Sequence, residues 1–376
     1  MSLVHPSDTT PAAPDTPQAP VPDAATLASL VEDAALAPSM HNAQPWAFAF
    51  DPRARMFRVR ADPAREMPVA DPDRRALHLG CAAAIFNLRV AVVHAGWEPV
   101  TRLLPDPSAP ELLAEVELAR PRETYDELAD LYPALHRRHT SRAPFREERI
   151  EETLLDVLRR AALLEGARLA FPDDFHRKTI LELGNEAGIR EFHDPAHREE
   201  TARWTGDRTD APTDTGTDTG TDARAESGAG QGPRDVPGGE PRGDGIPGYA
   251  FGPRPRTGGA PMRDFGTPEG SLAHELADFE QAPQLALLGT THDRPLDWLR
   301  AGQAMERVLL EATLDGLSTS VASQALEWSD LRWAVRDPAS AMGHVHMVIR
   351  LGYGPAGPLT HRRSVDDVLS IDTYEE

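Results

Sequence analysis

A chain of 376 residues, 40% of them hydrophobic and 6% aromatic, is long enough to bury the cores of two ordinary lobes or of one large lobe with insertions. Its formal charge of -21 opposes attraction to nucleic acid and to anionic membranes, which leaves small molecules as partners. The one cysteine, Cys81, excludes disulfides and cysteine-rich zinc sites and fits a reducing cytoplasm. Lys178 is the one lysine among 39 basic residues, so an anion site here must use arginine, histidine and backbone amides, and lysine Schiff-base chemistry is not expected.

Residues 1–22 are rich in Pro, Ala, Thr and Asp, with neither a basic start nor an apolar core, and predict a disordered tail rather than a signal peptide. Leu27, Leu30, Val31, Ala34 and Ala35 recur at helical spacing, so a helix is expected over 24–37, stopped by Pro38. After the loop 38-PSMHNAQPW-46, the runs 48–50 and 56–60 flank the turn-prone DPRAR and predict an antiparallel hairpin. A long apolar helix over 73–94, closed by Gly96, should precede strands near 100–104 and 112–118. The apolar stretch from Cys81 to Trp97 is interrupted by Asn87, Arg89 and His94, and no membrane span is predicted. These elements make a first lobe over 23–122.

The second lobe, 123–376, opens with an expected helix from about Tyr125 to His136, the polar loop 137-RRHTSRAPF-145, a helix from about Ile150 to Leu164 and a strand over 167–171. The stretch 205–243, with its TDTGTDTGTD run, cannot bury enough apolar surface to fold and reads as an insertion. The following residues carry Tyr249, Phe251, Met262 and Phe265, which should pack; 246–265 is either a lid or a surface excursion. A strand over 284–290, a helix over 296–315 closed by Gly316, a strand over 344–354 and a basic, then weakly helical tail over 361–369 complete the chain. The helices beginning LHLGCAAAIF and LRAGQAMERV both carry Gly at the fourth position, a faint internal symmetry that two unrelated amphipathic helices would match as well.

Several motifs carry little chemistry. In GYGPAG (352–357), Pro355 and Pro358 obstruct the helix that would hold a pyrophosphate. His344 and His346 face one side of a strand without an acid or third histidine nearby in the chain, so no metal is predicted. Pro195 separates His193 from His197, and both read as surface histidines. No GxSxG elbow is present, and neither Ser39 nor Ser141 has an identifiable base. Two loops are harder to dismiss. In 138-RHTSR-142, two guanidinium groups, an imidazole and two hydroxyls suit a phosphate, although arginine-rich turns are commonly solvated. In 38-PSMHNAQPW-46, Ser39, His41, Asn42 and Gln44 either meet the edge of a heterocycle or form a polar turn clamped by Pro38 and Pro45.

APSMHNAQPWAF resembles the APSxxNxQPWxF signature of the nitroreductase superfamily, RHTSR resembles its RRSxR flavin-phosphate motif, and HRRSVDDVL resembles its closing basic segment. TSRAPF and DWLRAGQAMERVLLEA are most similar to the Acg-like branch of FMN-binding oxidoreductases, and the resemblance runs from Thr26 to Leu369 outside the insertion. It implies an α+β, nitroreductase-like fold. In that family the phosphate motif precedes the PSxxNxQPW loop within each subunit, whereas here it follows, once. The resemblance therefore implies two fused lobes forming a pseudo-dimer in one chain, with one flavin site and no need for a second subunit.

Carried over, it implies an FMN phosphate among Arg138, His139, Thr140 and Arg142, joined from the tail by Arg362 and Arg363. Ser39, His41 and Asn42 should border the ring or ribityl chain, and the Ser323 and Gln324 region should present backbone amides to it. The cofactor would carry the redox chemistry, so no side chain is assigned as catalytic and no metal is implied. The expected function is that of an FMN-dependent oxidoreductase using NAD(P)H or another reductant on a nitro, quinone or other conjugated acceptor. The alternatives are a flavin-sequestering or stress-response protein with little turnover, and a homologue without flavin.

Overall fold

The computed structural model describes residues 21–120, 127–205, 243–260, 263, 265, 276–337, 340 and 342–373. Of the expected features, the tail over 1–20, the insertion over 206–242 and Met262 lie outside the described residues.

Helix α1 (Ala24–Ala35) starts where the Asp23 carboxylate accepts the Thr26 amide at 2.8 Å, a cap worth about 1 kcal/mol. It ends before Pro38, because the Leu36 and Ala37 amides already bond three residues back. Strands β1 (Trp46–Asp51) and β2 (Met56–Ala61) form the expected hairpin, with Trp46 opposite Ala61. Helix α2 (Arg75–His94) is capped by Asp71, whose two carboxylate oxygens accept the Ala76 and Leu77 amides at 2.9 Å. Strands β3 (Glu98–Leu103) and β4 (Leu112–Ala119) follow. The helix expected from about Tyr125 to His136 is, over the described part, a 3-10 turn (Glu127–Leu131) and the short α3 (Tyr132–Leu135). Pro133 has no amide to continue a ladder from the preceding turn, so the helix restarts there.

Helix α4 (Glu152–Leu164) and strand β5 (Arg168–Ala170) agree with expectation. Helices α5 (Asp174–His193) and α6 (Pro195–Arg203) were not anticipated: α5 buries only Ile180, Ala187 and Glu191 and so shows no apolar stripe. Pro195 opens α6, where a missing amide is harmless. His193 is exposed as expected, but His197 is buried, 4.7 Å from Trp328 in a stacked arrangement, which corrects its reading as a surface residue.

Beyond the insertion come β6 (Arg254–Thr257), β7 (Leu276–Asp278), β8 (Gln284–Thr290), α7 (Pro295–Leu314), β9 (Ser318–Ala322), α8 (Gln324–Glu327), α9 (Ser329–Val335), β10 (His344–Gly352), α10 (Val365–Val368) and β11 (Leu369–Ile371). One sheet has the order β11-β1-β2-β4-β3, a second β5-β8-β10-β9, and β6 and β7 form a small parallel ribbon. The last strand runs parallel to β1, with Leu369 opposite Phe48, so the tail returns to the sheet built from the start of the chain. The fold is thus α+β, in agreement with the nitroreductase-like expectation.

Helices α2 and α7 pack along each other between the sheets, within one core that spans α1, β1, β2, α4, β8 and β10. A Cβ at Gly302 of α7 would lie 2.4 Å from the Leu79 carbonyl oxygen, so this close crossing requires glycine. Helix α2 is long and apolar enough to cross a membrane, yet most of it is buried inside the protein, which is the setting of a core helix.

Candidate functional site

A cleft with about 1180 Å³ of empty space, open solvent at its mouth included, lies where the loop after α1, the first turns of α2, the 138–142 loop, the end of β9, the 246–265 segment and the tail converge. Ser39, His41, Asn42, Arg138, His139, Thr140, Arg142, Ser323, Gln324 and Arg362 all line it. Arg363 does not: its guanidinium lies 3.4 Å from the Gln44 and Trp46 carbonyl oxygens and 3.6 Å from Asp62. The neighbouring backbone carries Arg363 toward β1, while Arg362 turns to α1.

The loop after α1 holds His41, Asn42 and Gln44 in left-handed conformation, with φ of 49°, 55° and 52°. Such backbone costs about 1–3 kcal/mol per residue and persists only where surroundings enforce it. Ser39 Oγ accepts the Gln44 amide at 2.9 Å. The Asn42 side chain donates to the carbonyls of Gly245 (2.9 Å) and His361 (3.1 Å). Gln44 donates to the Gly243 carbonyl at 2.6 Å and accepts the Arg363 amide at 2.9 Å. Asn42 and Gln44 therefore act as a clasp joining the first polar loop, the end of the insertion and the tail.

The 138–142 loop is fixed by pairing to β9: Thr140 bridges Thr319, and the Ser141 amide donates to the Thr319 carbonyl at 2.8 Å. A Cβ at Gly357 would stand 2.0 Å from the Thr140 carbonyl oxygen, so the tail passes this loop at a distance only glycine permits. Downstream, Arg350 donates to both oxygens of Glu280 (2.5 and 2.7 Å), and its guanidinium sits 3.7 Å from the centre of the Phe145 ring. Glu280 also accepts the Phe145 amide at 3.0 Å. No local pattern announces this buried pair, whose members lie on different segments.

The cleft arginines fall into two pairs. Arg138 and Arg362 both donate to the Leu36 carbonyl at 2.9 Å, and Arg362 also to that of Ala35 at 2.7 Å. They satisfy the carbonyl end of α1, the negative end of its dipole. Arg142 donates to the Ala250 carbonyl at 2.8 Å and lies 5.2 Å from the centre of the Phe265 ring. Arg263 donates to His41 Nε2 at 3.0 Å and pairs with Glu191 at 3.0 Å and with Glu327. Burial, then the neighbouring arginine, lowers Arg142 and Arg362 to about 10, which leaves both cationic at neutral pH. Burial, then Arg263 and Arg142, pushes His41 well below the usual histidine range; burial, then Arg138 and Arg362, lowers His139. No Asp or Glu is among the described lining residues.

Ser323 Oγ donates to Glu327 at 2.8 Å and the Gln324 side chain to Glu191 at 2.9 Å, so both side chains are turned to the acids that also hold Arg263. In the 246–265 segment, Phe251 is buried, and Phe265 stacks on it at 5.1 Å and meets His41 edge-on at 6.0 Å. Tyr249, expected to be buried, is 60% exposed. The 3-10 turn Gly248–Ala250 turns Ala250 inward and Tyr249 outward, where its hydroxyl donates to the Leu359 carbonyl at 2.9 Å. His344 and His346 do have an acid beside them: Asp293 lies 3.7 and 4.0 Å away, engaged with Arg332 (2.8 Å) and the Trp298 indole (2.5 Å). No histidine, cysteine or carboxylate group suited to a metal occurs among the described residues. Of the residues missed from sequence, Arg263, Glu191 and Asp293 sit far along the chain from the groups they meet, whereas Glu327 is four residues from Ser323 but far from Arg263.

No family model matches the chain. Full-length relatives occur in Mycobacterium tuberculosis. "Putative NAD(P)H nitroreductase Rv3131" is 28% identical over 353 residues, which cover 93% of this chain and 92% of the relative. "Putative NAD(P)H nitroreductase acg" is 25% identical over 353 residues, 92% of this chain and 95% of the relative. "Uncharacterized protein Rv3127" is 26% identical over 341 residues, 89% and 90% respectively. The two loops that meet in the cleft are among those that carry the resemblance in sequence, and over nearly its whole length the chain is similar to proteins named putative NAD(P)H nitroreductases, acg among them.

Proposed function

We propose that the cleft binds one FMN per chain and that the protein is an FMN-dependent oxidoreductase of nitroreductase type, drawing electrons from NAD(P)H or another reductant. The observation that carries this reading is the lining itself: four arginines and no carboxylate among the described lining residues, on a chain of net charge -21, beside an apolar wall that includes Leu79, Met305, Val321 and Met347. An anion with a flat apolar body suits that combination.

Arg138 and Arg362, with His139 and Thr140, would hold the phosphate. The fit is supported by Arg138 itself, a nearly buried cation that lines the cleft with its guanidinium fixed by the Leu36 carbonyl. Ser39, His41 and Asn42 would border the ring or ribityl chain, Ser323 and Gln324 would flank it, and Arg142 with Arg263 leaves positive charge for the rest of the ligand. Bound flavin would supply the hydride or electron transfer; the protein binds, orients and shields it. Five- and four-stranded sheets on either side of α2 and α7 support the reading of two fused lobes, 23–122 and 123–376, as a pseudo-dimer. A monomeric, cytoplasmic protein follows from that reading and from the single cysteine.

Phe265, set against His41 and Arg142, favours a second reading in which the 246–265 segment acts as a lid and turnover is low, as in a flavin-sequestering protein. The test is the absorbance spectrum of the purified protein, followed by FMN titration and anaerobic bleaching with NADH and NADPH. A flavin spectrum and bleaching are expected. A protein that neither carries nor takes up FMN overturns the function, whereas bound flavin that resists both reductants, but bleaches in Phe265→Ala, selects the lid reading.

A further inference from the structure

We propose that Glu306 is the positioning residue of the cleft's anion pole: from behind the lining it holds the Arg138 guanidinium in place for a phosphate. The proposal rests on the reading of the cleft as a flavin phosphate site.

Glu306 lies in the middle of α7, next to Met305 of the cleft wall, and is completely buried. Its carboxyl group faces Arg138 and Asn87. Arg138 Nε stands 3.3 Å from Oε1, and the Arg138 side chain is itself 3% exposed. Since Arg138 also donates to the Leu36 carbonyl at 2.9 Å, its guanidinium is held from two directions, by α1 and by α7. Asn87 of α2 is buried in the same helix crossing, where its side-chain amide meets the Glu306 carboxyl. Burial raises the Glu306 carboxyl, opposed by the charge of Arg138, by Asn87 and more weakly by Arg362.

Stability alone does not account for this arrangement. A buried ion pair where α2 and α7 cross is no more favourable than packed hydrocarbon that replaces both of its partners. What Glu306 does achieve is a buried acceptor 3.3 Å behind the guanidinium of a residue that lines the cleft. An unsupported arginine would have to be ordered by each arriving anion, at the expense of affinity. The effect should therefore appear in ligands that bear a phosphate and be absent in those that do not.

The experiment compares wild type, Glu306→Gln, Glu306→Leu and Glu306→Met for the Kd of FMN and of riboflavin and for the melting temperature without ligand. For Leu and Met, FMN affinity should fall by about tenfold while riboflavin affinity changes less than about twofold; the melting temperature without ligand should also drop, because Arg138 is left as a buried cation without its partner. Gln keeps an acceptor near Arg138 Nε and should restore most of the FMN affinity. Should Leu fail to fold, the more adaptable Met carries the same expectation. FMN binding unchanged in these variants, or equal weakening of both flavins, overturns the proposal. If wild type binds neither flavin, the cofactor reading fails and inorganic phosphate becomes the probe. Thermal stabilisation by phosphate that is lost in both Arg138→Ala and Glu306→Met then supports the positioning role. Stabilisation kept in Glu306→Met, or absent from wild type, overturns it.

Discussion

Arginines in the cleft do two things at once, and this sets what their removal should cost. Arg138 satisfies the carbonyl end of α1 and faces the cleft, so Arg138→Ala loses a helix-end partner as well as a ligand contact. We expect FMN affinity to fall by roughly 10- to 100-fold, the range of one or two charge-assisted hydrogen bonds. Riboflavin affinity should change much less in a side-by-side titration, and equal losses would mean that the loop has misfolded. A second expectation concerns pH. Burial, then Arg75 and Arg332, pushes His346 down to about 3, against the countervailing charge of Asp293 and with His344 on the same side. The unfolded chain binds the proton more readily, so this contribution is complete above about pH 6.5 and is lost as pH falls toward 3, at roughly 1.4 kcal/mol per pH unit. His41 shares the upper part of that window. Asp293, held down to about 2, acts only below the usual carboxylate range. Melting temperature should therefore fall from pH 7 to 4.5, and His346→Gln should flatten the slope.

At the scale of elements, the insertion and the clasp meet. The Ile246 amide donates to the Trp204 carbonyl at 2.8 Å and Thr205 bridges Ile246, so the described residues on either side of the insertion are already paired. Gly243 supplies the carbonyl that Gln44 holds. A deletion should thus spare Thr205 and Gly243 and remove 206–242, with a short Gly-Ser linker. We expect the melting temperature within about 3 °C of wild type, because the sequence of 206–242 offers almost no large apolar side chains to bury. A broadened or absent cooperative transition would show that this segment carries structure. Most elements here were legible from apolar patterning: β1 and β2 tend to alternate, while α2, β8 and α7 are buried almost all round. Not anticipated were α5, α6, β6, β7, β9, α8, α9 and β11; α5 shows no apolar stripe, and β11 exists because β1 offers it an edge.

For the whole molecule, the two sheets and the paired helices α2 and α7 create one cleft that draws on both ends of the chain. The first polar loop comes from before β1, the arginine loop from before α4 and Arg362 from the tail. Only one such combination of loops is present in the sequence, so FMN titration should saturate at one per chain, and sedimentation should show a monomer. A stoichiometry of two would require a second phosphate pole, which the fused-lobe reading does not provide. The sequence by itself determined the class of the fold, the course of its main helices and strands, and ten of the cleft-lining residues, because periodic burial and short polar motifs are local properties of the chain. Only tertiary structure decided that Asn42 and Gln44 are a clasp, that Arg363 turns away, and that Arg263 and Phe265 enter the cleft. It also decided that Glu306 stands behind Arg138 and Asp293 beside His346. Each of these depends on groups that meet only when distant segments pack. The directions of buried side chains and the charges they face follow from that packing, which no stretch of sequence contains.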